Sequence, residues 1–452
     1  MLLKRFKISK DNRVTLRLFW PVLVEQTLGV TIGIVSAMMV SGVGDFAVSG
    51  VSLVDSINFL ILAFFQAIAV GATVIVAQKI GAQKTEDAGE TAYQSIVFCV
   101  LFAALFGVAV IFTGRYLLGA LYGTADANVL EAGWIYFMFS GISYPFIGLF
   151  SACSGVMRAG GENRPPMIAS VIANIVNISL AFILIRLGYG VYGVSAAMLI
   201  ARILSGCLTL FMLRKGVNGI FLPRVRPRLT MEILRPVLRV GVPSGIDAAI
   251  FQVARIIMVV FMAGMGTAAL HAHAISNSLI GFIMLPGSAL SVVAVTLVGQ
   301  AYGAKRFYTV RQLMKKICLY CSILLAVAGA IIFLLLNPLL ALYSPSPETI
   351  ALSRRLVLMM ICLAPLFWSF SFCIPNMLRA CGDAKATMYI SVCSLILIRV
   401  TGAWFFGIFL DWGVPGVWMG MFSDWITRGL GFSIRAFSNA WNSGRTPVDE
   451  EA

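Results

Sequence analysis

The chain has 452 residues, of which 60% are apolar and only 12% charged, with 42 glycines and a net charge of +15. A soluble domain runs at roughly 45–50% apolar with glycine counted and about 25% charged, so a chain this long could not cover so much apolar surface in water. The composition excludes a soluble globular protein and points to an integral membrane protein.

The first residues, MLLKRFKISKDNRVTLRLFW, are basic and amphipathic and lack a small-residue cleavage site. They read as an interfacial lead-in to a first span rather than a cleaved signal peptide. A membrane-crossing helix needs about 20 mostly apolar residues. Twelve segments supply them: 15–41, 50–78, 91–113, 131–157, 166–187, 190–213, 236–264, 270–300, 312–336, 351–378, 385–409 and 414–437. Proline and glycine recur inside them, at Pro21, Gly29, Gly33, Gly71, Pro145, Pro286 and Pro365. Membrane helices tolerate these residues because neighbours can satisfy the freed backbone groups. The alternation of a β-barrel is absent. The expected fold is therefore an all-α integral membrane protein of twelve transmembrane helices.

Between the sixth and seventh spans lies the longest polar interruption, Leu213–Gly241. It carries Arg214, Lys215, Arg224, Arg226, Arg228, Arg235 and Arg239 against one acid, Glu232. Such a run fits either a nucleic-acid patch or a connector on an anionic membrane face. Orientation decides. With the N-terminus in the cytoplasm, 27 lysines and arginines fall on the cytoplasmic side and four, Arg115, Arg186, Arg354 and Arg355, on the other. That asymmetry is the positive-inside rule. Both termini and the connector are expected to be cytoplasmic, the protein multi-pass in the membrane, and nucleic acid is not an expected partner.

The nine cysteines are odd in number and lack a CxxC…CxxC spacing, so neither a disulfide framework nor a zinc site is indicated. Each reads as a small buried hydrophobe.

The two halves repeat. LGALYG at 118–123 answers LLALYS at 339–344, and MRAGGEN at 157–163 answers LRACGDA at 378–384, both 221 residues apart. AQKIGAQ at 77–83 answers GQAYGAK at 299–305 at 222, and YGVYGV at 189–194 answers WGVPGV at 412–417 at 223. Six spans per copy is an even number, so the copies share one orientation. They should form two six-helix bundles related by a pseudo-two-fold axis along the membrane normal. The expected organisation is an N-terminal bundle over 1–213, a basic connector over 214–235 and a C-terminal bundle over 236–452.

These paired motifs, with VSGVGDFAVSGVSLVDSIN (40–58), MRAGGENRPPM (157–167), GVPSG (241–245) and LVGQAYGAK (297–305), resemble the multidrug and toxic compound extrusion family over nearly the whole chain. The resemblance implies two bundles facing each other across a V-shaped cleft. It also implies an antiporter that exports organic cations, other drugs or metabolites in exchange for protons or sodium by alternating access. No cofactor and no metal are expected, and the implied partners are a small-molecule substrate and membrane lipid, with the chain a monomer. The sequence departs from the family's pattern at its usual ion-coupling acids. Many bacterial members have an Asp fifteen residues after a first-helix proline; here Pro21 is followed at that spacing by Ser36. Asn177 matches the fifth-helix Asn, but Ala181 stands where an Asp would follow. The tenth span has no carboxylate between Ala351 and Leu378.

An ionisable group inside a membrane costs at least about 2.5–3.5 kcal/mol, so each one needs a reason. Glu25 follows Pro21 by four residues and shares a helix face with Ser36, and Asp247 follows Pro243 by the same four. Each reads either as a titrating carboxylate that binds ion or substrate or as a structural acceptor. Asp55, near the start of the second span, reads as helix-terminal charge stabilisation or as a substrate contact. Arg255 lies eight residues beyond Asp247, about 12 Å along the axis, too far for direct pairing, which leaves a packing partner elsewhere or an anionic substrate. Asn177 completes the candidate binding set of Glu25, Asp247, Asp55, Ser36 and Arg255, with Pro21 as the bend. Arg202, Arg399, Asp424 and Arg428 read as structural ion pairs or interfacial groups. His271 and His273 point to nearly opposite faces, which argues against a shared metal.

Two other functions compete with export. A flippase for a lipid-linked precursor would need a strongly cationic cavity, for which only Arg255 and Arg399 are candidates. A membrane-embedded enzyme or scaffold is disfavoured because no catalytic or phosphate-loop motif sits at a bilayer boundary.

Overall fold

The computed structural model describes residues 12–123, 125–218, 220–223, 229–341, 343, 346–438 and 441. The cations at Lys4, Arg5, Lys7, Lys10, Arg224, Arg226, Arg228 and Arg445, and part of the 339–344 motif, lie outside them.

The described chain is helical. The first half holds α1 (Asn12–Ser41), α2 (Asp45–Gly81), α3 (Thr85–Tyr122), α4 (Ala127–Ala159), α5 (Arg164–Arg186) and α6 (Gly190–Arg214). The second holds α7 (Met231–Ala263), α8 (Thr267–Gly303), α9 (Phe307–Ala341), α10 (Pro347–Ala380), α11 (Ala384–Phe409) and α12 (Gly413–Phe437). Eleven of these are long and apolar enough to cross a membrane; α12, which carries Asp424, Arg428 and Arg435, is the more polar twelfth. Among the described residues the one β-type feature is an isolated bridge between Val217 and Ile220.

Several helices run past their apolar stretches because polar flanks suit helix ends. α3 begins at Thr85 with Glu86 and Asp87 in its first turn, where acids favour the positive end of the helix dipole. Ser346 caps α10, its hydroxyl accepting from the Thr349 N–H at 3.3 Å, with Pro347 at the first helical position. Two helices are interrupted by π-helical turns: α10 at Ser369–Cys373, and α11 at Leu395–Val400 and Phe405–Phe409.

The described residues of Trp20–Gly245 form one compact unit, and those from Ile246 onward, with the chain up to Phe19, form the other. In the first unit, small residues set how closely helices approach. A Cβ at Gly50 of α2 would sit 2.6 Å from the Val129 carbonyl oxygen and 2.7 Å from the Gly133 nitrogen of α4. Above that contact Phe65 meets Phe106 and Tyr144 edge-on, with ring centroids 5.8 and 5.5 Å apart. Among the described residues, hydrogen bonds at Asn218 and Thr230 pin the connector to this unit. Asn218 donates to the Gly160 carbonyl at 3.0 Å and to Glu162 Oε1 at 3.2 Å, and Gln94 Oε1 accepts from the Thr230 N–H at 2.9 Å. α1 and α7 bury the smallest shares of their spans along with α5, 6% and 17% against 56% for α2.

Six cysteines are buried, but Cys207, Cys362 and Cys393 are exposed on helix surfaces, which corrects the expectation that all nine are buried. In a membrane helix an apolar side chain gains as much by facing lipid as by facing a neighbour, so an apolar run alone does not fix the inward face.

Candidate functional site

The first unit holds a partly open cavity of about 430 Å³. Its walls come from α1, α2, α4, α5 and α6, and it gathers three of the expected residues, Ser36, Asp55 and Asn177. The helices leave this space because of what α1 lacks: a Cβ at Gly29 or Gly33, both on the wall, would meet nothing within 4 Å. Ala181 lines the same cavity, so the missing family carboxylate is missing from this wall.

Asp55 is the only acid among the lining residues. It lies ten residues into α2, nearly three turns from Asp45 at the start, well beyond the first turn to which dipole stabilisation reaches. The helix-terminal explanation therefore fails, because Asp45 and not Asp55 occupies that position. Asp55 Oδ1 instead accepts from the Tyr136 hydroxyl at 3.1 Å and from Asn58 Nδ2 at 3.5 Å. Asn58 is held in turn: its Oδ1 accepts from the Tyr144 hydroxyl at 2.7 Å, and its Nδ2 also reaches Ser140 Oγ at 3.2 Å. These bonds fall on one carboxylate oxygen and leave Oδ2 for a ligand.

Arg202 of α6 lines the cavity too, donating to Ser143 Oγ at 2.7 Å. No acidic oxygen stands within 4 Å of it among the described residues, so its reading as a structural ion pair is corrected. The cavity thus holds one acid and one base that do not neutralise each other by contact. Tyr136 and Asn58 are not singled out by the sequence, and Arg202 is visible there only as a lone arginine inside an apolar span.

Glu25 is not a lining residue of this cavity. Its Oε1 accepts from Arg158 Nη2 at 2.6 Å, with the two side chains 12% and 20% exposed. In the other half Arg379 Nη2 donates to Asp247 Oδ2, the side chains 13% and 15% exposed. Both arginines sit in the last turn before their helices break, where a cation also meets the negative end of the dipole. Both are followed by a glycine in the left-handed region, Gly161 at φ +76 and Gly382 at φ +89. The following amides close the turn, Glu162 N–H to the Met157 carbonyl and Asp383 N–H to the Leu378 carbonyl, each at 3.0 Å. The repeated MRAGG and LRACG motifs are therefore one device: a helix stop that presents an arginine to the acid following a proline. Arg379 is also fixed by Asn376 Oδ1 at 3.1 Å, and Asn376 by Ser291 at 2.7 Å.

Arg255 is an exposed residue of α7, bonded to Gln252 one turn back at 3.2 Å, and it has no ion-pair partner among the described residues. His271 is exposed, whereas His273 accepts from Trp418 Nε1 at 3.3 Å and pairs with Asn277 at 2.9 Å, so the two histidines do separate.

The MatE family model matches the chain twice, over residues 21–183 and 243–405, so that the two matches are themselves 222 residues apart. An uncharacterized transporter of Bacillus subtilis, YisQ, is 30% identical over 97% of both chains. A probable multidrug resistance protein NorM of Thermotoga maritima is 25% identical over 97% of this chain and 95% of its own length. Among solved structures, a MATE transporter in its straight conformation superposes with a TM-score of 0.88 at 19% identity, covering 96% of this chain and 98% of that one. A MOP-superfamily transporter from Pyrococcus furiosus gives a TM-score of 0.85 at the same identity and coverage. Two family matches spanning most of the chain, in the two halves that the repeats and paired arginines already define, leave one conclusion: the chain is a bacterial transporter of the MatE, multidrug and toxic compound extrusion, family.

Proposed function

We propose that this transporter is a secondary antiporter of the bacterial cell membrane, with both termini cytoplasmic, that exports drugs, organic cations or metabolites against an inward flow of protons or sodium. The observation that carries this reading is the cavity of the first unit, with Asp55 as its one lining carboxylate. With Ser36 and Ala181 at the positions where the resemblance leads one to expect acids, Asp55 is the group in that chamber for which an incoming cation and a cationic cargo compete. Competition for one carboxylate is what couples two fluxes: each ligand shifts the carrier only through its differential affinity for the states it stabilises. The volume lies within the range of small-molecule sites, and the apolar wall of Met39, Val40, Val51, Ile178 and Met198 suits cargo with a hydrophobic body. Arg202 adds a place for an anionic group on the same cargo. Glu25 and Asp247 serve the conformational change through their arginine partners, and Arg255 stays a candidate contact on exposed α7.

The test is flux in proteoliposomes. Uptake of tetraphenylphosphonium into inverted vesicles is measured under an imposed pH gradient and, separately, an imposed sodium gradient. One gradient should drive wild-type uptake, and Asp55→Asn should reduce it at least tenfold while the protein still inserts. Wild-type rates from Asp55→Asn would overturn the assignment of Asp55, and the absence of flux under either gradient would overturn antiport.

A further inference from the structure

The second unit buries three charges that the chamber of the first does not use. Asp424 is 0% exposed, Arg428 3% and Arg399 4%. Two guanidiniums share one carboxylate: Arg399 Nη1 lies 3.8 Å and Arg428 Nη2 3.7 Å from Asp424 Oδ2. Both distances are beyond hydrogen bonding, and the bonded oxygen, Oδ1, is taken by Ser394 Oγ at 2.7 Å. The cluster carries one excess positive charge inside an apolar helix core.

Its polar atoms are unusually idle. Arg399 Nη1, Arg428 Nε and Nη2, Asp424 Oδ2 and the neighbouring Trp425 Nε1 are buried without a hydrogen-bond partner among the described residues. The guanidinium faces are better served. Arg428 lies over Phe372 at 4.6 Å, Arg399 lies over Phe251 at 4.9 Å, and Arg399 Nε meets Met258 Sδ at 3.0 Å. Stacking occupies the faces. Along the edges Arg399 Nε is taken by Met258 and Arg428 Nη1 reaches Ser391 Oγ at 3.4 Å, which leaves Arg399 Nη1 and Arg428 Nε and Nη2 open. An N–H edge is how guanidinium recognises an anion. A purely structural cluster would use a second acid to reach neutrality and direct hydrogen bonds to satisfy its N–H groups.

The backbone is altered at the same place. Arg399 lies in the π-helical turn Leu395–Val400 and Phe372 in Ser369–Cys373, and both stretches pack on α12, which carries Asp424 and Arg428. A π-turn accommodates an extra residue in a helix and is frequent at functional sites. The repeat offset rises from 221 at Arg158 and Arg379 to 223 at Gly190 and Gly413, so the second half has two more residues over that stretch. α11 has two π-turns to hold them, whereas α5 is a regular helix. The added residues turn the rest of the helix and so set which side chain meets α12.

We propose that Arg399 and Arg428 form a binding site for a monovalent anion, held between their N–H edges beside Asp424. The site is independent of which cargo or coupling ion the carrier uses.

The experiment uses the full chain in lipid nanodiscs. Thermal unfolding is followed while acetate, bromide or the neutral isostere acetamide is added, with ionic strength held constant by sulfate. Acetate, bromide or both should raise the midpoint saturably and acetamide should not, and Arg399→Gln or Arg428→Gln should abolish the shift. A response to acetate alone identifies the carboxylate of an organic anion; a response to bromide alone identifies an inorganic halide. Crystals of the wild-type protein grown in bromide supply a measurement that needs no folded variant, with an anomalous peak expected at the two guanidiniums. No saturable shift with either anion, a shift that survives in both arginine variants, or bromide peaks elsewhere with none at the cluster overturns the site.

Discussion

Arg158, in the last turn of α4, reaches Glu25 of α1 at 2.6 Å, and Arg379 repeats the contact with Asp247 of α7. The acids are 222 residues apart and the arginines 221, so the chain builds the same bond twice. Each bond ties a sparsely buried helix to a helix stop in its own unit. A helix with little buried surface leans more on each polar contact it makes, so a charged hydrogen bond matters to its position.

Removing one partner weakens the hold on the other charge. Glu25→Gln is expected to cost about 3 kcal/mol, as for an ion pair broken where little water reaches it. Arg158→Gln should cost a similar amount. The double variant should recover most of the loss, because two neutral partners leave no buried charge. Thermal unfolding of the four proteins in nanodiscs measures the cycle. Additive losses would refute the pair as a stabilising unit. Flux separates the second role: if Glu25 also carries the coupling ion, the stable double variant still fails to transport against a gradient.

The chamber depends on what α1 leaves out. Gly33→Ala adds a methyl group where nothing stands within 4 Å, and alanine favours a helix over glycine by about 1 kcal/mol, so stability should hold or rise. Gly33→Leu should fold as well but fill the space beside Ser36 and Asn177, and cargo affinity should fall at least tenfold. Gly50→Ala is the opposite case. Its methyl would meet the Val129 carbonyl oxygen at 2.6 Å, so α2 and α4 must separate, at about 1–3 kcal/mol. Expression level and unfolding midpoint for the three variants, with cargo binding for the two at Gly33, check the contrast. Equal stability of Gly50→Ala and Gly33→Ala would refute it.

Tyr136→Phe tests whether Asp55 is oriented from behind. The change deletes only the hydroxyl that bonds Asp55 Oδ1 at 3.1 Å and keeps the ring. Asn58, anchored by Tyr144 and Ser140, keeps the carboxylate in place more loosely. Cargo affinity should drop about three- to tenfold, because the carboxylate loses one of the two hydrogen bonds that orient it, with the fold intact. An unchanged dissociation constant would show that the network holds Asp55 without Tyr136.

How much of this was legible depends on whether the signal was local. The twelve spans were, because composition over about 20 residues decides membrane insertion. So was the proline-plus-four spacing of Glu25 and Asp247. Their partners were hidden in plain view: MRAGG and LRACG were read as repeats, but no spacing along the chain says which acid an arginine 133 residues away will meet. The apolar run that begins at residue 50 puts Asp55 near a helix start, whereas the helix begins at Asp45, whose charge suits the first turn. The π-turns of α11 show in the sequence only as a rise in the repeat offset from 221 to 223, since an apolar run reads the same whether its turns hold one residue more or not. Arg202 was visible as a charge, but lining a cavity is a property of five helices together.

The connector supplies the last prediction. Its described cations, Arg214, Lys215, Arg235 and Arg239, are exposed, and Lys215 stacks over Phe211 at 4.5 Å. An exposed cation at a membrane face contributes about 1 kcal/mol of attraction to anionic lipid, shared among many. Replacing any one of them by alanine should therefore leave transport within twofold of wild type. Asn218 differs. It sits at φ +49, which asparagine tolerates better than most residues, and its amide bridges Gly160 and Glu162 at the turn after Arg158. Asn218→Leu should lose both bonds and strain the backbone, lowering the unfolding midpoint and slowing transport several-fold. Flux and stability of Asn218→Leu beside Arg235→Ala decide the matter: a severe defect in the arginine variant, with a silent asparagine variant, would mean that the connector's charges and not its turn hold it in place.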